Sequence, residues 1–278
     1  MSIKKKILVR GAAKIMEGLF KKGHYQEMKR IDSKIDYIKD RVRQFQDEYG
    51  HKRRNYSGVI GKFVSCNVYE KDHEGMNEYL NDIGLLPLVA SIDSTRLKDS
   101  PEDLDQANPF IIPGKPYVRF SPNLAGRVAE QDYSFLSEED PDRLVKLWRE
   151  DRKFLDTLVK GYDAAKEEMM RSRLLKKERK LSCNFGSVSL LEGKPSYDAE
   201  SIYRELGDQF LLKYGKVDML QLDEYMAMGF LKKKELDQFR KIVDVRLKFV
   251  LIEQEAEAKL YDFFQRNLQR LSRIYRVG

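Results

Sequence analysis

The sequence predicts a mainly α fold with a small α+β module, in which long heptad-patterned helices make a helical hairpin or a coiled coil and short strands fill the rest. Three observations predict it. Two stretches carry apolar residues at alternating spacings of three and four, the seam of a helix lying along another helix. A turn-rich, acidic segment separates them. Charged residues make up 35% of the 278, with only 17 glycines, 8 prolines and a mean hydropathy of −0.61, which favours long solvated helices over a loop-rich fold.

The chain begins, over residues 3–22, with a basic amphipathic helix bearing Ile7 or Leu8, Ala12, Ile15, Leu19 and Phe20 on one side. Such a helix either lies on a membrane surface or docks on protein. Gly11 and Gly18 weaken it as an independent helix and favour docking. Arg10, Lys14 and Glu17 break up any apolar core that would resemble a signal peptide, and no 18-residue apolar run exists. No membrane contact and a cytoplasmic location are expected.

Residues 25–49 carry the cleanest heptad, with Met28, Ile31, Ile35, Ile38, Val42, Phe45 and Tyr49 spaced three and four apart. A stripe this narrow needs a partner helix, from the same chain or from a second copy. The basic loop His51-Lys52-Arg53-Arg54 follows.

Beyond it, Val59 to Tyr69 looks like one or two strands, and Glu74 to Ile83 looks helical up to Gly84. From Asp93 to Asn123 the text is rich in prolines, with a loop expected at 94–108 and short extended pieces at Phe110–Ile112 and Tyr117–Phe120.

Asp140-Pro141 then opens a second long helix, an N-cap acceptor followed by proline at the first helical position. Its seam is Leu144, Trp148, Asp151, Leu155, Leu158, Tyr162, Ala165 and Met169. The seam fades into a basic collar, Lys176, Lys177, Arg179 and Lys180. The period then drops to two through Leu181, Cys183, Phe185, Val188 and Leu190, a short strand in which Gly186 marks a bulge or bend. Asp198 caps a helix through Leu206. From Lys232 to Gly278 a largely helical region is expected, with arginines 266, 270, 273 and 276 on one face and an apolar stripe on another.

Charge divides the chain unevenly: residues 1–54 carry net +9, residues 55–140 net −8 and residues 141–278 net +6. Three parts follow: basic N-terminal helices (1–54), an acidic α+β module (55–139), and a long helix, short strand and C-terminal helical region (140–278). Polarity of this kind suits two functional faces or association between oppositely charged segments.

Motifs for catalysis are missing. There is no Gly-rich dinucleotide or phosphate loop and no nucleophile elbow. His24, His51 and His73 lack ligand spacing, and Cys66 and Cys183 look like small buried hydrophobes of a reducing compartment. Carboxylates sit mostly at helix caps and on polar faces, where solvation explains them. An enzyme, a cofactor and a metal site are therefore not expected.

The stretch Lys176-Lys177-Glu178-Arg179-Lys180-Leu181-Ser182-Cys183-Asn184-Phe185-Gly186-Ser187-Val188-Ser189, following a long charged helix and followed by Pro195 and an Asp198-capped helix, resembles the Gam-type host-nuclease inhibitors of bacteriophages. That resemblance implies a non-enzymatic dimer that binds DNA ends and blocks host nucleases. Its basic collar maps to Lys176, Lys177, Arg179 and Lys180.

The expected function is thus a phage-type, anti-defence accessory protein that inhibits a host nuclease or nuclease-based defence complex by binding the nuclease or its DNA. The alternatives are an oligomeric structural or assembly protein built on coiled-coil helices and, behind it, a carboxylate-metal enzyme. Residues expected to bind nucleic acid or a partner are Lys52, Arg53, Arg54, Lys176, Lys177, Arg179, Lys180, Arg266, Arg270, Arg273 and Arg276. A homo-oligomer is expected through Met28, Ile31, Ile35, Ile38, Val42, Phe45, Leu144, Trp148, Leu155 and Leu158. The partners are a host nuclease or defence complex, with DNA as a second ligand.

Overall fold

A computed structural model describes residues 8–274, and the side chains of these apart from Leu220, Asn267, Leu268 and 270–274. Helices run α1 Ala12–Lys21, α2 His24–Glu48, α3 His73–Asp82, α4 Leu86–Val89, α5 Ser94–Leu97, α6 Pro101–Ala107, α7 Pro141–Met170, α8 Arg173–Glu178, α9 Ala199–Leu206, α10 Asp208–Tyr214, α11 Met219–Ala227, α12 Lys233–Asp237 and α13 Gln254–Ile274. Strands are β1 Arg53–Tyr56, β2 Val59–Lys71, β3 Ala90–Ile92, β4 Ile111–Ile112, β5 Tyr117–Pro122, β6 Lys180–Cys183, β7 Gly186–Leu191, β8 Ser196–Tyr197, β9 Gly215–Val217 and β10 Arg240–Glu253.

The fold is α+β, with 57% helix and 22% strand in four small antiparallel sheets, which corrects the mainly α expectation. One helix reaches about thirty residues, α7, and strands are spread through the chain. The largest misassignment is at 240–253. There Val243-Asp244-Val245-Arg246-Leu247-Lys248-Phe249 alternates strictly, with two β-branched valines and an aromatic among its apolar positions, so a 14-residue strand forms where helix was expected. The segment 94–108 holds α5 and α6, not an open loop, and Asp93 caps α5 by accepting from the Thr95 and Arg96 N–H groups.

Two units divide the chain, and neither follows the three consecutive parts that the charge suggested. The first comprises residues 1–64, 116–192 and 249–257; the second comprises 65–115, 193–248 and 258–278. Each has its own hydrophobic core.

In the first unit, α2 and α7 lie lengthwise, and both heptad stripes are spent on this contact. Met28, Ile31, Ile35, Ile38 and Val42 are buried together with Leu144, Trp148, Leu155 and Leu158, and Phe45 is partly buried. The residues expected to oligomerise are therefore intramolecular core. The lone Asp151 of the seam pairs with Lys34 at 2.8 Å, which keeps its charge compensated on the helix flank. Tyr25, Phe20, Phe120 and Phe185 stack at the other end, with Phe20 and Phe185 rings 4.5 Å apart and nearly parallel.

The sheet β5-β7-β6 lies in the same unit, with Val188 opposite both Phe120 and Leu181. Gly186 sits where β6 turns into β7, at φ 153°, and a Cβ there would lie 2.3 Å from the Ser121 carbonyl oxygen. The glycine is required by both conformation and space.

The second unit gathers α3, α4, α9 and α10 around Met76, Leu80, Leu86, Ile202 and Leu211. Two short antiparallel pairs, β3 with β9 and β4 with β8, lie in it as well. Asn77 is 1% exposed and ties α3 to the end of α10 and the start of β9, donating to the carbonyls of Leu212 and Gly215.

Candidate partner-binding surfaces

The predicted cations divide into spent and available groups. Arg53, on β1, makes a bidentate pair with Glu257, both contacts at 2.7 Å, and Lys62 of β2 reaches the same carboxylate at 2.6 Å. Arg54 donates to Asp142 at 3.2 Å and lies 5.2 Å from the Phe45 ring centroid and 5.0 Å from that of Tyr56. Arg179 pairs with Glu192 from a left-handed position at φ 59°. These three arginines organise the chain's own elements. Lys52, Lys176, Lys177, Lys180 and Arg266 are exposed without an ion pair among the described residues. The side chains of Arg270 and Arg273, and all of Arg276, lie outside the described residues.

Arg53 and Lys62 hold the Glu257 carboxyl down at about 2, from an ordinary 4.5. A carboxyl depressed on folding contributes stability above its unfolded pKa and loses it as pH falls through the folded value. The window is therefore pH 4.5 down to about 2. Urea midpoints of wild type and Glu257→Gln are expected to converge across that window and to differ above it. A constant difference from pH 6 to pH 2 would show that the Glu257 charge contributes nothing.

Where the β1–β2 turn meets the first two turns of α7, Tyr56, Val59 and Val145 line a cleft of about 470 Å³. Asp142, Arg143, Lys146 and Arg149 stand on one face of the helix, at i, i+1, i+4 and i+7, and complete its wall. Arg143 pairs with Glu139 at 3.0 Å, and Arg149 pairs with Glu253 through its Nε at 3.1 Å. Lys146 has no ion-pair partner among the described residues.

The second unit exposes apolar side chains that a solvated surface does not need. On β10, Val243, Val245 and Leu247 share one face and are 53%, 53% and 69% exposed, and Ile242 on the other face is 50% exposed. Among the described residues β10 is an edge strand, with β2 on one side only. On α13, Leu260, Tyr261, Phe263 and Phe264 are 57–64% exposed. Around β10, residues 232–248 carry seven basic and three acidic side chains.

The remaining candidate chemistry is dispersed. His24 Nε2 lies 2.8 Å from the Leu158 carbonyl oxygen, a structural contact. Cys183 is buried, and burial raises its thiol pKa; Cys66 is exposed, against the expectation that both would be buried. Among the described residues no group of three or more His, Cys, Asp or Glu side chains is arranged to hold a metal ion, and no helix is long and apolar enough to cross a membrane.

The exposed face of β10 was missed in sequence because residues 232–278 read as largely helical, which holds for α13 but not for 240–253. The alternation at 243–249 was the available signal. No protein-family model, curated protein or solved structure matches this chain.

Proposed function

We propose that this chain is a non-catalytic accessory protein whose second unit binds a protein partner, and that the partner is a host nuclease or nuclease-based defence complex met in the host cytoplasm. What carries the first part is the exposed apolar surface of β10 and α13. Val243, Val245 and Leu247 on one face of β10, and Leu260, Tyr261, Phe263 and Phe264 on α13, all stay at half exposure or more. Clustered exposed apolar side chains on a folded domain mark interaction sites.

Charge selects the occupant. The basic flank at 232–248 repels a second copy of itself and favours a partner with an acidic rim around an apolar centre. The choice of a nuclease rests on the resemblance around the basic collar and on nothing else. DNA coating is the weaker version, since Arg53, Arg54 and Arg179 are already paired within the chain.

The test is degradation of linear duplex by purified host exonuclease complexes, with the protein added before or after DNA. Inhibition that is complete near equimolar protein, independent of order of addition and lost at least tenfold in the double variant Leu247→Asp/Phe264→Asp is the expected result. Uninhibited nuclease at excess protein overturns the nuclease assignment. Light scattering that shows a dimer dissociated by the same double variant would give the surface to a second copy instead.

A further inference from the structure

We propose that the free edge of β10, over residues 240–248, takes up an extended segment of the partner as an added strand, and that this segment alternates apolar and acidic side chains. The claim rests on the reading of this surface given above and adds the form in which the partner meets it.

The main chain is the first reason. β10 stands last in the sheet order β1-β2-β10, and β1 reaches β2 only at Val59–Lys62. Among the described residues the sheet is therefore two strands wide over 65–71 and 240–248, and no main-chain hydrogen bond other than those of the sheet itself reaches 241–248. A strand carries donors and acceptors towards both sides, so every second N–H and C=O of this segment is left to water. Two strands alone are marginal in water, and a third strand supplies both pairing and cover. Native edges are often blunted by short strands or by proline, whereas β10 runs 14 residues without one.

The side chains say which strand fits. Val243, Val245 and Leu247 form an apolar row on one face, each at half exposure or more. An adjacent strand sets alternate side chains about 5 Å from such a row, so its residues on that face are apolar. Charge sets the residues between them. Residues 240–248 hold four cations and one carboxylate. Arg240 is paired with Asp237 and Arg246 with Asp244, while Lys241 and Lys248 are exposed without an ion pair among the described residues. A second copy of this edge would bring like charges alongside, and acidic side chains compensate them. Main-chain bonds then give affinity, and the alternation gives specificity and register.

The probe is a capped peptide of four Val-Glu repeats, titrated into the full chain by calorimetry, with hydrogen exchange read by mass spectrometry. One control is the same peptide N-methylated on two adjacent central residues, which removes a donor from each of its edges. Another replaces Glu by Lys throughout. The Val-Glu peptide should saturate at one per chain and slow exchange within 240–248, with both controls at least tenfold weaker. Lys241→Glu/Lys248→Glu, which changes only exposed side chains, should weaken it at least fivefold. No saturable binding, equal affinity of the N-methylated peptide, or protection at 65–71 without protection at 240–248 overturns the proposal.

The two readings of this surface fail separately. Nuclease inhibition that Leu247→Asp/Phe264→Asp abolishes, in a chain that binds no peptide, keeps the partner surface and overturns strand addition. A bound peptide that protects 240–248, with the nuclease uninhibited, supports strand addition and overturns the nuclease assignment alone.

Discussion

Ile38→Ala is expected to lower the unfolding free energy of the first unit by about 3 kcal/mol, within the range for deleting a large aliphatic side chain from a packed core. Ile38 is fully buried in the middle of the α2 stripe, among residues that face α7. Truncation removes three carbons from a contact that cannot collapse, because the helices are held apart by Met28 and Ile31 on one side and Val42 on the other. Two-state urea unfolding followed by Trp148 fluorescence measures it, since the chain's one tryptophan sits in the same core. A loss below about 1 kcal/mol would mean that α2 and α7 are not packed along this seam. The result also bears on oligomerisation: if the stripe is intramolecular, the loss is independent of protein concentration.

Gly186→Val is the second large effect. The substitution is expected to cost about 3 kcal/mol, from the strain of a β-branched residue at φ 153° added to overlap with backbone. The added Cβ would stand 2.3 Å from the Ser121 carbonyl and 2.9 Å from the Pro122 Cα, both main-chain atoms of β5 that cannot rotate away. The strand pair β5–β7 has to part at that end, where Pro122 faces Gly186. Gly186→Ala should cost less than valine and still destabilise. Hydrogen exchange at Val188 and Leu190 reports where the damage goes, and unchanged protection in the valine variant would contradict the tight register.

Much of the local structure was legible in sequence because it depends on near neighbours. The cap at Asp140, the proline after it, the stripes of α2 and α7 and the bend at Gly186 are all set by spacing and backbone chemistry within a few residues. The strand at 240–253 was also legible by its period of two, but its charge and the helical stripe that follows it drew the assignment towards helix. Ion-pair commitments were not legible at all. Arg53 meets Glu257 across 204 positions, and nothing near either residue signals the other. A basic run such as Lys52-Arg53-Arg54 therefore looks available for phosphates until the fold removes its two arginines from service. The cleft at Tyr56 is hidden for the same reason, because it is assembled from a hairpin turn and a helix start more than eighty residues apart.

The order of synthesis meets an obstacle in the way the first unit is assembled. Phe249 and Leu251 complete a core whose other members begin at Ala12, so that core stays open until the ribosome has released residues up to 257. The early helices wait with their apolar stripes uncovered until α7 has left the ribosome, and in that interval they depend on each other or on chaperones. A nascent chain stalled before residue 141 should be cut by protease within α1 and α2, and one stalled well past 257, with Phe249 and Leu251 in place, should resist most.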